Sequence, residues 1–440
     1  MSSAATPGLR RALRLRDLVF YGIILIQPTA PMPLFGVVGQ EARGHVVTTV
    51  LIAMFAMLLT ALAYGRMARA YPSVGSAYTY VGREIHSGLG FVTGWCMLME
   101  YVLNPITCTI WCAKAAGNIV PEIPFAAWAV FFALLFTALN LRGIKATART
   151  NELLVVAMCA VITWFFIDAA RYIFALPHVD WVQPFYDPAT FSWRRLSTGT
   201  SIAVLTYIGF DGISTLSEEV ENPRRNILLA TVLTCLLTGL FATAQVYAAQ
   251  LVWPDYSTYP DADTAFVHVA GRAGGRLLFH LVNGTLLVAT IGSGMGSQLG
   301  AARLLYGMGR DDTLPRRFFG VVEAKHGIPR NSVLFTGVVV LGGAFMLSYQ
   351  AGVELVNFGA FVAFMGVNAA AFLHAWRGKE PALSHLLPPL AGFAICFFMW
   401  VSLRTPALVA GFIWTAVGVA WAAWKTGGFR RRIEFSEGQE

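Results

Sequence analysis

The chain has 440 residues, of which 56% are hydrophobic and only 13% charged, with a mean hydropathy of +0.60 and a net charge of +8. A soluble domain carries roughly 25% charged residues, so this much apolar surface is read as facing lipid. The basic balance does not point to nucleic acid, because 24 of the 32 lysines and arginines fall on alternate connections between apolar stretches and not in one patch.

Residues 1–16 carry Arg10, Arg11, Arg14 and Arg16 with no apolar run and no cleavage site, so they are read as a tail, not a signal peptide. A membrane span needs ~20 apolar residues. Windows of that length occur at 17–40, 46–68, 88–114, 125–141, 152–173, 198–217, 227–251, 276–306, 332–348, 354–375, 385–403 and 406–424. Twelve spans with arginine and lysine on alternate connections put both termini on the cytoplasmic side of the membrane.

Span 1 contains "QPTAPMP", with Pro28, Pro31 and Pro33 within six residues. A helix-interior proline costs ~3 kcal/mol, so the span is expected to break there. In span 3, Glu100, Asn104, Thr107 and Trp111 follow helical spacing and form one polar stripe. An ionisable residue at membrane depth marks a functional site or a buried partner, and Glu100 is read as a carboxylate facing a cation or carrying a proton. Lys114, near the outer end of that span, is expected to snorkel to the interface. Six cysteines fall within spans without metal-ligand spacing and read as packing residues.

Span 6 carries "YIGFDG", with Gly209, Asp211 and Gly212 at mid-depth, which predicts a second break. The Asp211 carboxylate there either contacts substrate or accepts from backbone N–H groups freed by the break. Glu218, Glu219 and Glu221 follow at the cytoplasmic end and are expected to pair with arginines in a gate. In span 8, the glycines of "TIGSGMGSQLG" suggest close helix packing, while Thr290, Ser293 and Gln298 offer polar groups to a path. Matched breaks in the first member of each five-span block point to a binding site near the midplane. The fold expected is therefore an all-α polytopic protein with a 5+5 inverted repeat: tail 1–16, first repeat 17–173, second repeat 198–375, two further helices in 385–424 and tail 425–440.

Three stretches match a known pattern. "YIGFDGISTLSEEVENPRRN" (207–226), "AYPSVGSAYTYV" (70–81) and "ARLLYGMGRDDTLPRRFFG" (302–320) resemble signatures of the amino acid–polyamine–organocation superfamily, at helix 6 and at the loops before helix 3 and after helix 8. Glu100 followed by Tyr101, the proline-containing break and "GFD" resemble the putrescine importers within it. The resemblance implies the leucine-transporter fold, alternating access and proton-coupled uptake of a small amine or amino acid. It implies a substrate site of Gln27, Thr29, Ala30, Met32, Glu100, Tyr101, Asn104, Tyr207, Gly209, Phe210, Asp211 and Thr290, with Phe210 and Trp111 gating. Three departures matter. Relatives with a glycine-rich break bind a carboxylate on its N–H groups, whereas proline has none. Met158 stands where many proton-coupled members carry lysine. An acidic residue near Pro33 is absent, which leaves one carboxylate fewer for a di-cation and admits a mono-amine.

The first functional expectation is a secondary importer of a polyamine or biogenic mono-amine, with Glu100 as charge partner and aromatic faces adding ~0.5–2 kcal/mol each. The second is an amino acid permease, binding a carboxylate through Thr29 and the N–H groups after Phe210. A membrane enzyme or receptor is disfavoured: no zinc-binding helix motif, nucleophile elbow or soluble domain is present. No nucleotide-binding loop occurs, so ATP is not expected to drive the cycle, and no cofactor is expected.

Overall fold

The computed structural model describes residues 13–71, 76–142, 148–216, 220–310, 314–323, 328–378 and 382–425. Glu218 and Glu219 lie outside them. The described residues are built almost entirely of helices, and the only β features are two isolated bridges.

Span 1 is two helices, α1 (Leu15–Ile26) and α2 (Phe35–Glu41), joined by turns through the three prolines. Then come α3 (Val46–Ala70), the short α4 (Ser76–Glu84), α5 (Ser87–Gly117), α6 (Phe125–Leu141) and α7 (Ala148–Phe174). Span 6 is α8 (Trp193–Ala203) followed by two 3₁₀ stretches, Val204–Tyr207 and Phe210–Leu216. The chain continues with α9 (Pro223–Val252), α10 (Ala265–Arg310), α11 (Arg316–Phe319), α12 (Arg330–Met346), α13 (Tyr349–Arg377), α14 (Leu383–Val401) and α15 (Thr405–Lys425). α10 bends at Gly275, where φ is +73°. The expected eighth span, 276–306, begins just past that bend.

Each of the twelve apolar windows lies on helix or on one of the two broken segments, and eight of the described helices are long and apolar enough to cross a membrane. This is a multi-pass membrane protein. The side on which α1 starts and α3 ends is called here the near side; the other is the far side.

Packing fixes where the breaks sit. α3 lies against α9, α5 against α10 and α13, and α6 against α12, while α1 touches the 3₁₀ stretch 210–216. Small residues permit the close approaches. A Cβ on Gly209, where φ is +124°, would meet the Leu25 backbone at 3.2 Å, so the two breaks touch main chain to main chain.

Both ends of the broken segments are tied. On the near side Glu221 N donates to Leu13 O at 2.9 Å, and Arg14 lies 3.7 Å from Glu221. On the far side Arg195 of α8 meets Glu41 of α2 at 3.1 Å. Gln350 of α13 donates to the same Glu41 at 2.9 Å. Lys114 corrects one expectation. It does not snorkel freely but pairs with Asp263 at 2.7 Å and Asp261 at 3.3 Å, ahead of α10. Those partners lie nearly 150 residues away in the chain, beyond the reach of any helical pattern.

Candidate functional site

The two breaks, α5, α10 and α13 enclose a cavity of about 280 Å³. That is just below the ~300–1,000 Å³ range of small-molecule pockets, a size for a small solute.

The first break supplies an acceptor-rich wall. Leu25, Ile26, Gln27, Ala30 and Pro33 line the cavity. The last carbonyls of α1 have no partner within their helix and carry the negative end of its dipole. Donors are scarce. Three residues of the break are prolines, and the N–H groups of Ala30 and Met32 are spent on the carbonyls of Gln27 and Thr29 at 3.1 and 3.0 Å. Gln27 holds a left-handed φ of +68° and donates its side chain to Ala289 O at 3.3 Å, which anchors the turn to α10. Pro28 O accepts from Gln245 of α9 at 2.9 Å. Thr29 and Met32 are buried outside the lining.

The second break supplies a carboxylate. In a 3₁₀ stretch, residues three apart share a face. Leu205, Ile208 and Asp211 follow that spacing and face the cavity. Tyr207, Phe210 and Ile213 follow it on the buried face. The Tyr207 hydroxyl donates to Val50 O at 2.8 Å. The Phe210 ring stacks on Phe364 at 5.7 Å and meets Tyr64 edge-on at 5.6 Å. Both were expected to contact substrate, and both lie away from the cavity; Phe210, named as a lid, sits in this aromatic cluster instead. The Asp211 carboxylate stands near the backbone N–H groups of Gly209, Asp211 and Gly212, and the Gly212 N–H donates to Gly209 O at 3.1 Å, so the donors of this break sit beside an anion of the protein's own.

The polar stripe of α5 forms the opposite wall. Glu100, Tyr101, Asn104, Thr107 and Trp111 all line the cavity. Asn104 donates to Ser293 at 3.2 Å and to Ser297 at 2.8 Å on α10. Trp111 Nε1 donates to Asp263 O at 2.8 Å, so the ring is fixed between the cavity and the far-side ion pairs. Thr290 also lines the cavity, while Gln298 bonds Asn140 and Thr137 at 3.0 Å behind it. Ser297 had no place in the expected set, although Thr290, Ser293 and Ser297 follow one helical face and Gln298 does not. Tyr349, the first residue of α13, was also missed, because nothing in its local sequence marks it. Met158 is buried on α7 away from the cavity.

Glu100 and Asp211 thus face one cavity, and among the described residues neither has a basic partner within ion-pair distance. Each charge at membrane depth costs ~2.5–3.5 kcal/mol. The pair needs cations or protons from outside the protein.

Comparison with known proteins bears on the family of the whole chain. A profile of the family described as amino acid permease matches residues 19–426. The chain is 33% identical to the low-affinity putrescine importer PlaP of Escherichia coli K12, covering 98% of each chain. It is 26% identical to the branched-chain amino acid permease BcaP of Lactococcus lactis, over 94% of each. It is also 26% identical to the methylthioribose transporter of Bacillus subtilis, over 95% of this chain and 94% of that one.

Proposed function

The chain belongs to the amino acid permease family of transporters, and from that premise we propose that it imports a small organic amine, a polyamine such as putrescine before a mono-amine. The carrying observation is the pair of carboxylates, Glu100 and Asp211, on one cavity without a basic partner among the described residues. Two ammonium groups on a flexible chain match two acceptors, and the rings of Tyr101, Trp111 and Tyr349 add cation–π faces. An α-amino acid needs a carboxylate site as well. Prolines have removed donors from the first break, and the donors of the second have the Asp211 carboxylate beside them.

Import is coupled to protons in this reading, since like charges sharing a site are neutralised either by protons or by substrate. The amine enters from the far side, pairs with Glu100 and Asp211, and leaves from the near side after the ties at Leu13 and Glu221 open and those at Glu41 close. The near side is cytoplasmic and the membrane is the bacterial inner membrane. Packing supports two five-span blocks related by inversion. Spans 2 and 7, 3 and 8, and 4 and 9 pack on one another, and the contact of span 3 with span 10 is matched by that of span 8 with span 5.

Uptake of labelled putrescine by purified protein in liposomes tests the proposal. Unlabelled putrescine, tyramine and histamine are expected to compete better than arginine or leucine; the reverse order sinks the amine reading. Imposed pH and sodium gradients in the same liposomes separate proton from sodium coupling.

A further inference from the structure

A second cavity, of about 520 Å³, lies on the near side, away from Glu100 and Asp211. It opens between the last turns of α3 and α13, the first turn of α14 and the start of α9. Its lining is basic: Arg66 and Arg69 from α3, His374 from α13 and His385 from α14, with no carboxylate among the lining residues and only methionine, leucine and alanine between them. The central cavity has the opposite character.

The basic groups are built in, not merely crowded. Arg66 donates to His385 O at 2.9 Å and Ser384 O at 3.1 Å, which fixes the guanidinium across the first turn of α14. A guanidinium carries five N–H donors, so part of the fork remains for a ligand. Among the described residues the Arg69 side chain makes no hydrogen bond or ion pair. Glu84 holds His374 from behind at Nδ1, 2.5 Å away, and also takes the Tyr71 hydroxyl at 2.6 Å; Arg377 lies 3.6 Å from it. The acid therefore orients His374 from outside the cavity.

The ligand chemistry follows. Two arginines converging at helix ends favour a phosphate group, which accepts from a guanidinium fork. Basic pockets between spans on the cytoplasmic side are suited to lipid head groups. From this cavity α14 runs into the bilayer with Leu383, Leu387 and Leu390 exposed by 70%, 54% and 50% on one face, a track for acyl chains. We propose that this cavity binds the phosphate group of an anionic phospholipid whose chains lie along α14, joining α3 to α13 and α14 on the near side.

The test is the melting temperature of the purified full chain in detergent, titrated with dioctanoyl-phosphatidylglycerol, dioctanoyl-phosphatidylcholine or inorganic phosphate. Phosphatidylglycerol is expected to raise it saturably, and phosphatidylcholine to do so weakly, its phosphate being masked by its own cation. In the Arg69→Gln/His385→Gln double variant, half-saturation moves up by about tenfold, the worth of one charge-assisted hydrogen bond. Both side chains are at the surface, so the ligand-free melting temperature stays unchanged and a folding defect is distinguishable. Arg66→Gln is the second variant, expected to weaken binding further. A rise with inorganic phosphate equal to that with phosphatidylglycerol overturns the lipid assignment and leaves a free-phosphate site. Equal responses to the two lipids, or an unchanged response in the double variant, overturn the site.

Discussion

The two breaks meet at Gly209 and Leu25 and line the same cavity, yet in the proposed function they disfavour an anion by different chemistry. The first does so by subtraction: prolines delete N–H groups, and two of the remaining donors are folded into turns. The second does so by occupation: donors exist, but the Asp211 carboxylate stands beside them and the Gly212 N–H is held by Gly209 O. Loss of donors leaves a neutral, carbonyl-rich wall. Occupation leaves a negative one. Under the proposed function the break around Pro31 shapes selectivity, whereas the break around Asp211, together with Glu100, supplies the charge that holds a cation.

The largest effect is expected at Glu100, whose side chain makes no hydrogen bond or ion pair among the described residues. Glu100→Gln should lower putrescine uptake at low substrate by about 100-fold, since removing one partner of a desolvated charge pair costs ~2–5 kcal/mol. Uptake that survives this change removes the central carboxylate from the mechanism. Asp211→Asn is next, at about tenfold, because Asn retains one acceptor for the backbone. The loss should be greater for putrescine than for tyramine; an equal loss means that Asp211 only caps the break.

Gly209→Ala probes the contact between the breaks. An alanine at φ +124° is strained, so a loss of about 1–3 kcal/mol in stability is expected, read as a lower melting temperature. No change means the backbone contact with Leu25 is looser than drawn. Pro31→Ala should be the smallest change. It restores one N–H to the first break, and a neutral amino acid such as leucine should then inhibit putrescine uptake about threefold better. An unchanged inhibition profile breaks the distinction between the two breaks.

The breaks were legible in the sequence because proline and glycine change backbone energetics locally. The spans were legible because hydropathy sums over many residues, and the α5 stripe because a regular helix repeats its faces. The side chains of span 6 were not. The family resemblance put Tyr207 and Phe210 in the site, but the segment winds at three residues per turn, which turns both rings away and leaves Leu205, Ile208 and Asp211 inward. Tyr349 and the partners of Lys114 depend on which helices meet, and no local pattern encodes that.

The contact of Leu13 with Val220 and Glu221 has a practical side. A cycle that opens the near side must break and remake this backbone pairing at every turnover. The start of the chain is then a working part, and an affinity tag or fluorescent protein joined close to Leu13 would burden it directly. Slow or leaky transport in an amino-terminally tagged preparation should be checked against the untagged chain before any substitution is blamed.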